Sequence, residues 1–144
     1  MTKFYNKPSG ATKKMNSFMG WLSGLGIGPK KQVQLTTKGR KSGLPRTVAV
    51  NVVEYNGNRY LVAPRGNTEW ARNAVVNGEA TVKHGKSQDV RLVDVPAAER
   101  VPIIQKYVKE TAIVRKEFGV EPTSPIEEYQ KIADKHPTFR IDPR

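Results

Sequence analysis

The sequence predicts one α+β domain built on a mixed, mostly antiparallel β-barrel with flanking helices. Two hairpin signals join short segments of β-branched residues, and helical segments lie between and after these hairpins. A chain of 144 residues is long enough for a single hydrophobic core. A doubly wound fold is not predicted, because no Gly-x-Gly-x-x-Gly motif follows a strand and strands do not alternate regularly with helices.

The first three predicted strands span residues 32–37, 46–55 and 59–63. The first two are rich in Val and Thr, which favour extended backbone. Asn56-Gly57 is typical of a type I′ turn, so the second and third strands should form a hairpin.

A helix is predicted over residues 68–77. Thr68 is a candidate N-cap, and Asn77-Gly78 ends the helix. A second hairpin follows, with strands over residues 79–84 and 88–95 joined by Gly85-Lys86-Ser87, because its apolar residues alternate with polar ones.

Three helical segments and one strand complete the barrel domain. Pro96 suits the first turn of a helix over residues 96–110, and residues 111–118 are predicted to continue it. A last helix is predicted over residues 125–135, and a closing strand over residues 139–141.

Residues 1–29 are predicted to form an N-terminal segment that precedes a barrel domain of residues 30–144. Apolar residues recur at helical spacing between residues 12 and 25, after a polar lead. This short amphipathic helix either packs on the barrel or, because lysines flank it, contacts an anionic membrane surface weakly.

The net charge of +12 and pI of about 10.1 predict an anionic partner. Lys and Arg are spread across the chain without a basic helix, so no nucleic-acid partner is predicted. The chain has no Cys and two His, which argues against disulfides, cysteine catalysis and a His-rich metal centre. No signal peptide or membrane span is predicted, and we expect a cytoplasmic protein.

Residues 36–46 form the most informative segment, a basic turn between two strands. Gly39 and Gly43 allow a close approach of the backbone to a ligand, and Arg40, Lys41 and Arg46 supply positive charge. Such a turn suits a phosphate or a cluster of carboxylates. A solvated basic hairpin turn without a ligand is the alternative.

Three motifs in this order resemble the deazaflavin-dependent nitroreductase family, whose members are small split β-barrel proteins. They are residues 39–46 (GRKSGLPR), residues 59–66 (RYLVAPRG) with residues 70–73 (WARN), and residues 136–141 (HPTFRI). The resemblance covers about residues 30–142 and implies binding of the 8-hydroxy-5-deazaflavin coenzyme F420. The residues that it assigns to the coenzyme are Arg40, Lys41, Ser42, Arg46, Asn51, Ala63, Pro64, Arg65, Gly66, Trp70, Arg72 and Asn73.

The resemblance also suggests how these residues divide the work. The basic turn would hold the phosphate and carboxylates, and residues 63–66 would lie against the tricyclic ring. Relatives commonly have Ser-Lys-Gly where this chain has Pro64-Arg65-Gly66, and Pro64 lacks an amide hydrogen. Trp70 would pack near the ring or in the core, Asn73 would brace the turn, and Arg72 would reach an anion at the helix start.

Tyr107, Tyr129, His136 and Phe139 are the candidates for the substrate side of the site. Tyr129 and His136 are the candidate catalytic groups, since an aromatic hydroxyl or an imidazole could deliver a proton. Asn51 either points outward without a role or donates a hydrogen bond to the ligand.

The resemblance implies a reductase that transfers a hydride from reduced F420 to a quinone, an activated alkene or a nitro compound. Two alternatives stay open on the same scaffold. One is a non-catalytic protein that holds a fatty acid, another lipid or F420, and the other is an FMN-binding enzyme. A monomer and a homodimer are both compatible with the sequence.

Overall fold

The computed structural model describes residues 32–111 and 115–144. The six strands of these residues are β1 (Gln32–Lys38), β2 (Pro45–Tyr55), β3 (Asn58–Val62), β4 (Glu79–His84), β5 (Lys86–Asp94) and β6 (Thr138–Pro143). Their helices are α1 (Glu69–Val76), α2 (Ala97–Glu110), α3 (Arg115–Phe118) and α4 (Ile126–Ile132), and a 3₁₀ turn (Ala133–Lys135) follows α4. The helix predicted over residues 12–25 lies outside the described residues, and the boundary after residue 29 stays a prediction.

The strands close into an antiparallel barrel in the order β1-β2-β3-β6-β5-β4. The last strand, β6, lies between β3 and β5, whereas the first strand, β1, lies between β2 and β4. The predicted antiparallel split β-barrel with flanking helices is therefore confirmed.

The two hairpins differ in how well the sequence predicts them. Asn56 and Gly57 both have positive φ, 54° and 82°, as the predicted type I′ turn requires. In the second hairpin the predicted turn Gly85-Lys86-Ser87 is too long. Gly85 alone has positive φ, and pairing resumes at Lys86 opposite His84.

The predicted helix of residues 111–118 is interrupted. Helix α2 ends at Thr111, whose φ of −121° and ψ of 78° are not helical, and α3 begins only at Arg115. The final strand is longer than predicted, because backbone pairing with β5 extends to Pro143.

Two hydrophobic clusters stabilise the fold. The first, which we call the lumen core, takes residues from all six strands and from α1, among them Leu35, Trp70 and Phe139. The second, the helical-layer core, lies between the outer face of the barrel and the later helices and includes Val53 and Tyr129. Because successive strand residues point to opposite faces, Val52 enters the first cluster and Val53 the second.

Helix α1 is joined closely to the barrel. Gly78 follows it directly, and its carbonyl accepts a hydrogen bond from the Leu92 amide at 2.7 Å. A Cβ atom at position 78 would lie 2.6 Å from the Leu92 carbonyl oxygen, so only glycine fits this approach. The end of α1 is thereby held against β5, and the helix also packs on β1.

Candidate functional site

The connection between β1 and β2, residues 38–46, forms a rigid turn that we call the basic loop. The Gly39 amide donates to the Leu44 carbonyl at 2.8 Å, and the Gly43 amide to the Gly39 carbonyl at 2.9 Å. The Leu44 amide donates to Ser42 Oγ at 3.1 Å. A Cβ atom at position 39 would lie 2.8 Å from this hydroxyl oxygen, so the glycine is needed for the turn. Ser42 therefore shapes the loop by accepting the bond from the Leu44 amide through its hydroxyl oxygen.

All the charged side chains of the basic loop are positive. Lys38, Lys41 and Arg46 are exposed on it. The first 53 residues hold ten of the 25 Lys and Arg and none of the 13 Asp and Glu, so ten of the twelve net positive charges come from this stretch. The basic residues are spread across the chain as expected, and the asymmetry comes from the acidic residues, all of which lie after residue 53. A count of acidic residues along the sequence would have found this asymmetry.

Arg40 lies inward and ties the basic loop to α1. Its backbone amide donates to Asn73 Oδ1 at 3.1 Å, and its Nη1 donates to the same oxygen at 3.0 Å. Asn73 is 2% exposed, and its Nδ2 donates to Thr37 Oγ1 at 3.3 Å. One buried amide thus fixes the loop on the helix, and Arg40 takes part in this contact instead of pointing into solvent.

The first turn of α1 adds two more charged groups beside Arg40. Glu69 Oε2 accepts from Arg40 Nη1 at 2.8 Å, and Glu69 Oε1 lies 3.7 Å from Arg72 Nη1. The hydrogen bond from Arg40 is the main reason why the pKa of Glu69 is lowered, against a smaller opposing effect of burial. Arg72 Nε donates to the Asn67 carbonyl at 2.9 Å. The predicted anion-binding residues Arg40 and Arg72 therefore face a carboxylate of the protein itself.

Residues 63–66 form a tight turn at the end of β3. Gly66 has a φ of 87°, and its amide donates to the Ala63 carbonyl at 3.1 Å. Arg65 Nη1 lies 3.6 Å from the Glu117 carboxylate on α3, whose side chain is 7% exposed. Arg65 thus contacts α3, which motif comparison alone does not indicate, since Glu117 lies 52 residues away in the sequence.

Two polar atoms next to this turn are buried and have no hydrogen-bond partner among the described residues. They are Asn67 Oδ1 and Thr68 Oγ1. Thr68 stands at the N-cap of α1 but makes no capping bond there. Because native proteins rarely leave buried polar atoms unpaired, this position fits a ligand with polar groups.

Trp70 belongs to the lumen core. It is 8% exposed, and its ring centroid lies 5.6 Å from that of Phe139. Of its two predicted roles, the structure therefore gives it the packing role, and Phe139 is likewise buried away from any substrate side.

Asn51 lies on the outer face of β2, opposite the lumen, and is hydrogen-bonded to the hydroxyl of Tyr107 on α2. Burial raises the pKa of Tyr107 to about 12, and the bond to Asn51 opposes this only in part. Tyr107 is therefore a neutral phenol at physiological pH. The two residues meet across the interface between the barrel and the helical layer, which the sequence does not reveal.

Tyr129 and His136, the two candidate catalytic residues, are both buried in the interior. The Tyr129 hydroxyl donates to the Glu121 carbonyl at 2.7 Å, within the helical-layer core. His136 Nδ1 lies 3.0 Å from the Ala63 carbonyl, and its ring centroid is 4.3 Å from that of Phe118. Burial lowers the pKa of His136, and the bond to Ala63 opposes this. Because a carbonyl oxygen can only accept, Nδ1 donates in this bond, and both residues are hydrogen-bonded to backbone carbonyls in the interior.

The described residues contain no cluster of His, Cys, Asp and Glu that could hold a metal ion. Among them, no helix is long and apolar enough to cross a membrane.

Comparison with known families identifies the class of protein. Residues 12–125 match the model of the F420H(2)-dependent quinone reductase family. The match covers most of the chain, which therefore belongs to this family of oxidoreductases. The predicted resemblance to deazaflavin-dependent reductases is confirmed. No curated protein matched the chain significantly.

Solved structures show the same fold at low identity. A protein of unknown function from Agrobacterium tumefaciens is 18% identical, with a TM-score of 0.57 over 99% of this chain and 59% of that one. The chain thus spans less than two thirds of that relative. The heme storage protein HutZ from Vibrio cholerae is 14% identical, with a TM-score of 0.56 over 80% and 82% of the two chains. A structure named as an F420-H2 dependent reductase is 28% identical over 78% and 95%, with a TM-score of 0.45.

Proposed function

We propose that this protein binds coenzyme F420 along the basic loop and the start of α1 and uses its reduced form to reduce a quinone. The observation that carries the proposal is the exposed and purely cationic basic loop, which Asn73 fixes on α1. At the start of the same helix, two buried polar atoms have no hydrogen-bond partner among the described residues. The family match over residues 12–125 supports the same coenzyme and favours a quinone over the nitro and alkene acceptors.

The basic loop would hold the anionic part of the coenzyme. Lys41 and Arg46 are exposed, and the amides of Lys41 and Ser42 make no hydrogen bond to the described residues. Successive amides beside cationic side chains form a concave site for a phosphate. Lys38 would extend this site toward further carboxylates.

The turn of residues 63–66 would position the ring. Ala63, Pro64 and Gly66 present backbone there, and Asn67 Oδ1 and Thr68 Oγ1 would gain the partners that they lack. Asn51 is already bonded to Tyr107 in the interface between the barrel and the helical layer, so we assign it no contact with the ring. Bound reduced F420 supplies a hydride to the acceptor, and the chain supplies orientation and a positive field. Since Tyr129 and His136 are buried, we assign proton delivery to solvent.

Several finer features belong to this proposal. The protein is proposed to act in the cytoplasm, with weak contact to an anionic membrane through residues 12–25, as a monomer or a homodimer. Such contact would bring a membrane-borne quinone near the site. FMN is the alternative cofactor, and a carrier of lipid or F420 without turnover is the alternative function.

Consumption of reduced F420 tests the proposal. Purified protein is mixed with reduced F420 and with a quinone, a nitro compound or an activated alkene, and the reappearance of oxidised coenzyme is followed by absorbance. The proposal expects turnover with the quinone at the highest kcat/KM. Binding of F420 without turnover would favour the carrier, and binding of FMN alone would favour the flavin enzyme.

A further inference from the structure

One carboxylate sits between two arginines at the edge of the proposed site. Glu69 Oε2 lies 2.8 Å from Arg40 Nη1, and Glu69 Oε1 lies 3.7 Å from Arg72 Nη1. The two oxygens of one carboxylate thus face guanidinium groups from two different elements, the basic loop and α1. The Glu69 side chain is 65% exposed, whereas those of Arg40 and Arg72 are 16% and 32% exposed.

The two arginines keep their positions through contacts that do not involve Glu69. Arg40 Nη1 also donates to Asn73 Oδ1 at 3.0 Å, and Arg72 Nε donates to the Asn67 carbonyl at 2.9 Å. The cations are therefore arranged by polar groups of the fold, and the carboxylate between them is the most exposed of the three groups. Guanidinium groups that converge in this way are suited to a carboxylate or a phosphate.

We propose that Arg40 and Arg72 form a second anion seat, which the Glu69 carboxylate fills until a ligand displaces it. The ligand class is a polyanion that carries a carboxylate or phosphate in addition to the group held by Lys41 and Arg46. Glu69 is then a specificity-determining residue, because a small monoanion gains too little from the seat to displace it. The inference rests on the proposed function in that the tail of the coenzyme would supply this second anion.

Displacing the Glu69 carboxylate costs little free energy. Exposed ion pairs contribute little to stability, and this carboxylate regains full solvation when it swings out. Whether neutralising Glu69 strengthens or weakens anion binding distinguishes competition with the ligand from a purely structural role. If Glu69 only held Arg40 in place, its neutralisation would weaken anion binding. If Glu69 competes with the ligand, its neutralisation strengthens anion binding.

The test measures the affinity of the full chain for inorganic pyrophosphate by calorimetry, with Glu69→Gln and Glu79→Gln compared. Glu79 is the matched control, since it also lies between two arginines, 3.4 Å from Arg144 and 3.9 Å from Arg91, away from the basic loop. Both variants raise the net charge equally. From the strength of exposed ion pairs we expect Glu69→Gln to bind pyrophosphate about two- to fivefold more tightly than Glu79→Gln.

A further substitution locates the gain. Adding Arg72→Gln to Glu69→Gln should abolish the increase. Equal or weaker binding by Glu69→Gln than by the control would overturn the proposal, as would a gain that survives the loss of Arg72. Titration of the unaltered chain with F420 is measured separately. If the chain fails to bind F420 while Glu69→Gln still gains affinity for pyrophosphate, the proposed function is contradicted and the anion seat is supported.

Discussion

The basic loop and the helical layer of this protein contrast in how they use their polar side chains. In the basic loop, Lys41 and Arg46 are exposed, and the hydrogen bonds of the loop are made mainly by its backbone. In the helical layer, the polar groups of Tyr107, Tyr129 and His136 are buried and bonded to protein groups. Both regions contain residue types that can bind ligands or transfer protons.

This contrast shows that residue type alone does not mark a functional group. The loop keeps its charge available because short backbone hydrogen bonds fix its shape without consuming the side chains of Lys41 and Arg46. In the helical layer, the hydroxyl and imidazole groups are themselves buried and are paired with carbonyl oxygens or with Asn51. We therefore expect substitutions in the loop to change ligand binding and those in the layer to change stability.

The largest expected effect is on coenzyme binding. Lys41→Ala and Arg46→Ala should each weaken F420 binding by about 1–3 kcal/mol, because each removes a charge-assisted contact. Fluorescence titration measures this, and thermal unfolding should be nearly unchanged because both side chains are exposed. Lys86→Ala, at the exposed turn between β4 and β5, is the control. Unchanged affinity in both loop variants would remove the loop from the coenzyme site.

His136 should make stability depend on pH. Its pKa is lowered in the folded protein, so as pH falls below about 6.5 the unfolded chain binds a proton that the folded chain resists. Stability that is fully present above that pH is lost on acidification, by at most about 1.4 kcal/mol per pH unit.

Denaturant unfolding between pH 7 and pH 5 checks this slope. His136→Asn, which can still donate to the Ala63 carbonyl, should show a shallower loss than the unaltered chain. His84→Asn, which removes the other histidine of the chain, is the control. If the two variants lose stability in parallel, buried His136 is not the source.

The smallest expected effect is at Tyr129. Tyr129→Phe removes the hydroxyl that donates to the Glu121 carbonyl and should lower the free energy of unfolding by about 0.5–1.5 kcal/mol. Turnover should be unchanged, as for Tyr60→Phe on the outer face of β3. A large loss of kcat at normal stability would restore Tyr129 as a catalytic residue.

Much of the fold could be predicted from local signals. The alternation of apolar and polar residues predicts the strands, and Asn56-Gly57 predicts the turn between β2 and β3. Each of these signals lies within a few residues of sequence. The end of α2 at Glu110 was not predicted, because no Gly or Pro follows it until Gly119. Short-range patterns therefore predict elements better than their ends.

The candidate site was predictable only in part. The motif of the basic loop indicates an anion site by composition alone. Other features of the site depend on residues far apart in sequence. Arg40 pairs with Glu69, Arg65 contacts Glu117, and Tyr129 is buried under distant elements. Such contacts arise from the closure of the barrel, which no local pattern encodes. Arg40 illustrates this, since its type suggests a ligand contact and only the folded chain shows that its guanidinium group also bonds to Asn73.

The most direct test of the central claim is a fluorescence titration of the purified protein with oxidised F420, with FMN titrated in parallel. Our account predicts that F420 binds at micromolar concentration or below and that FMN does not bind. The absence of F420 binding, or binding of FMN in its place, would contradict the assignment of the basic loop to the deazaflavin coenzyme.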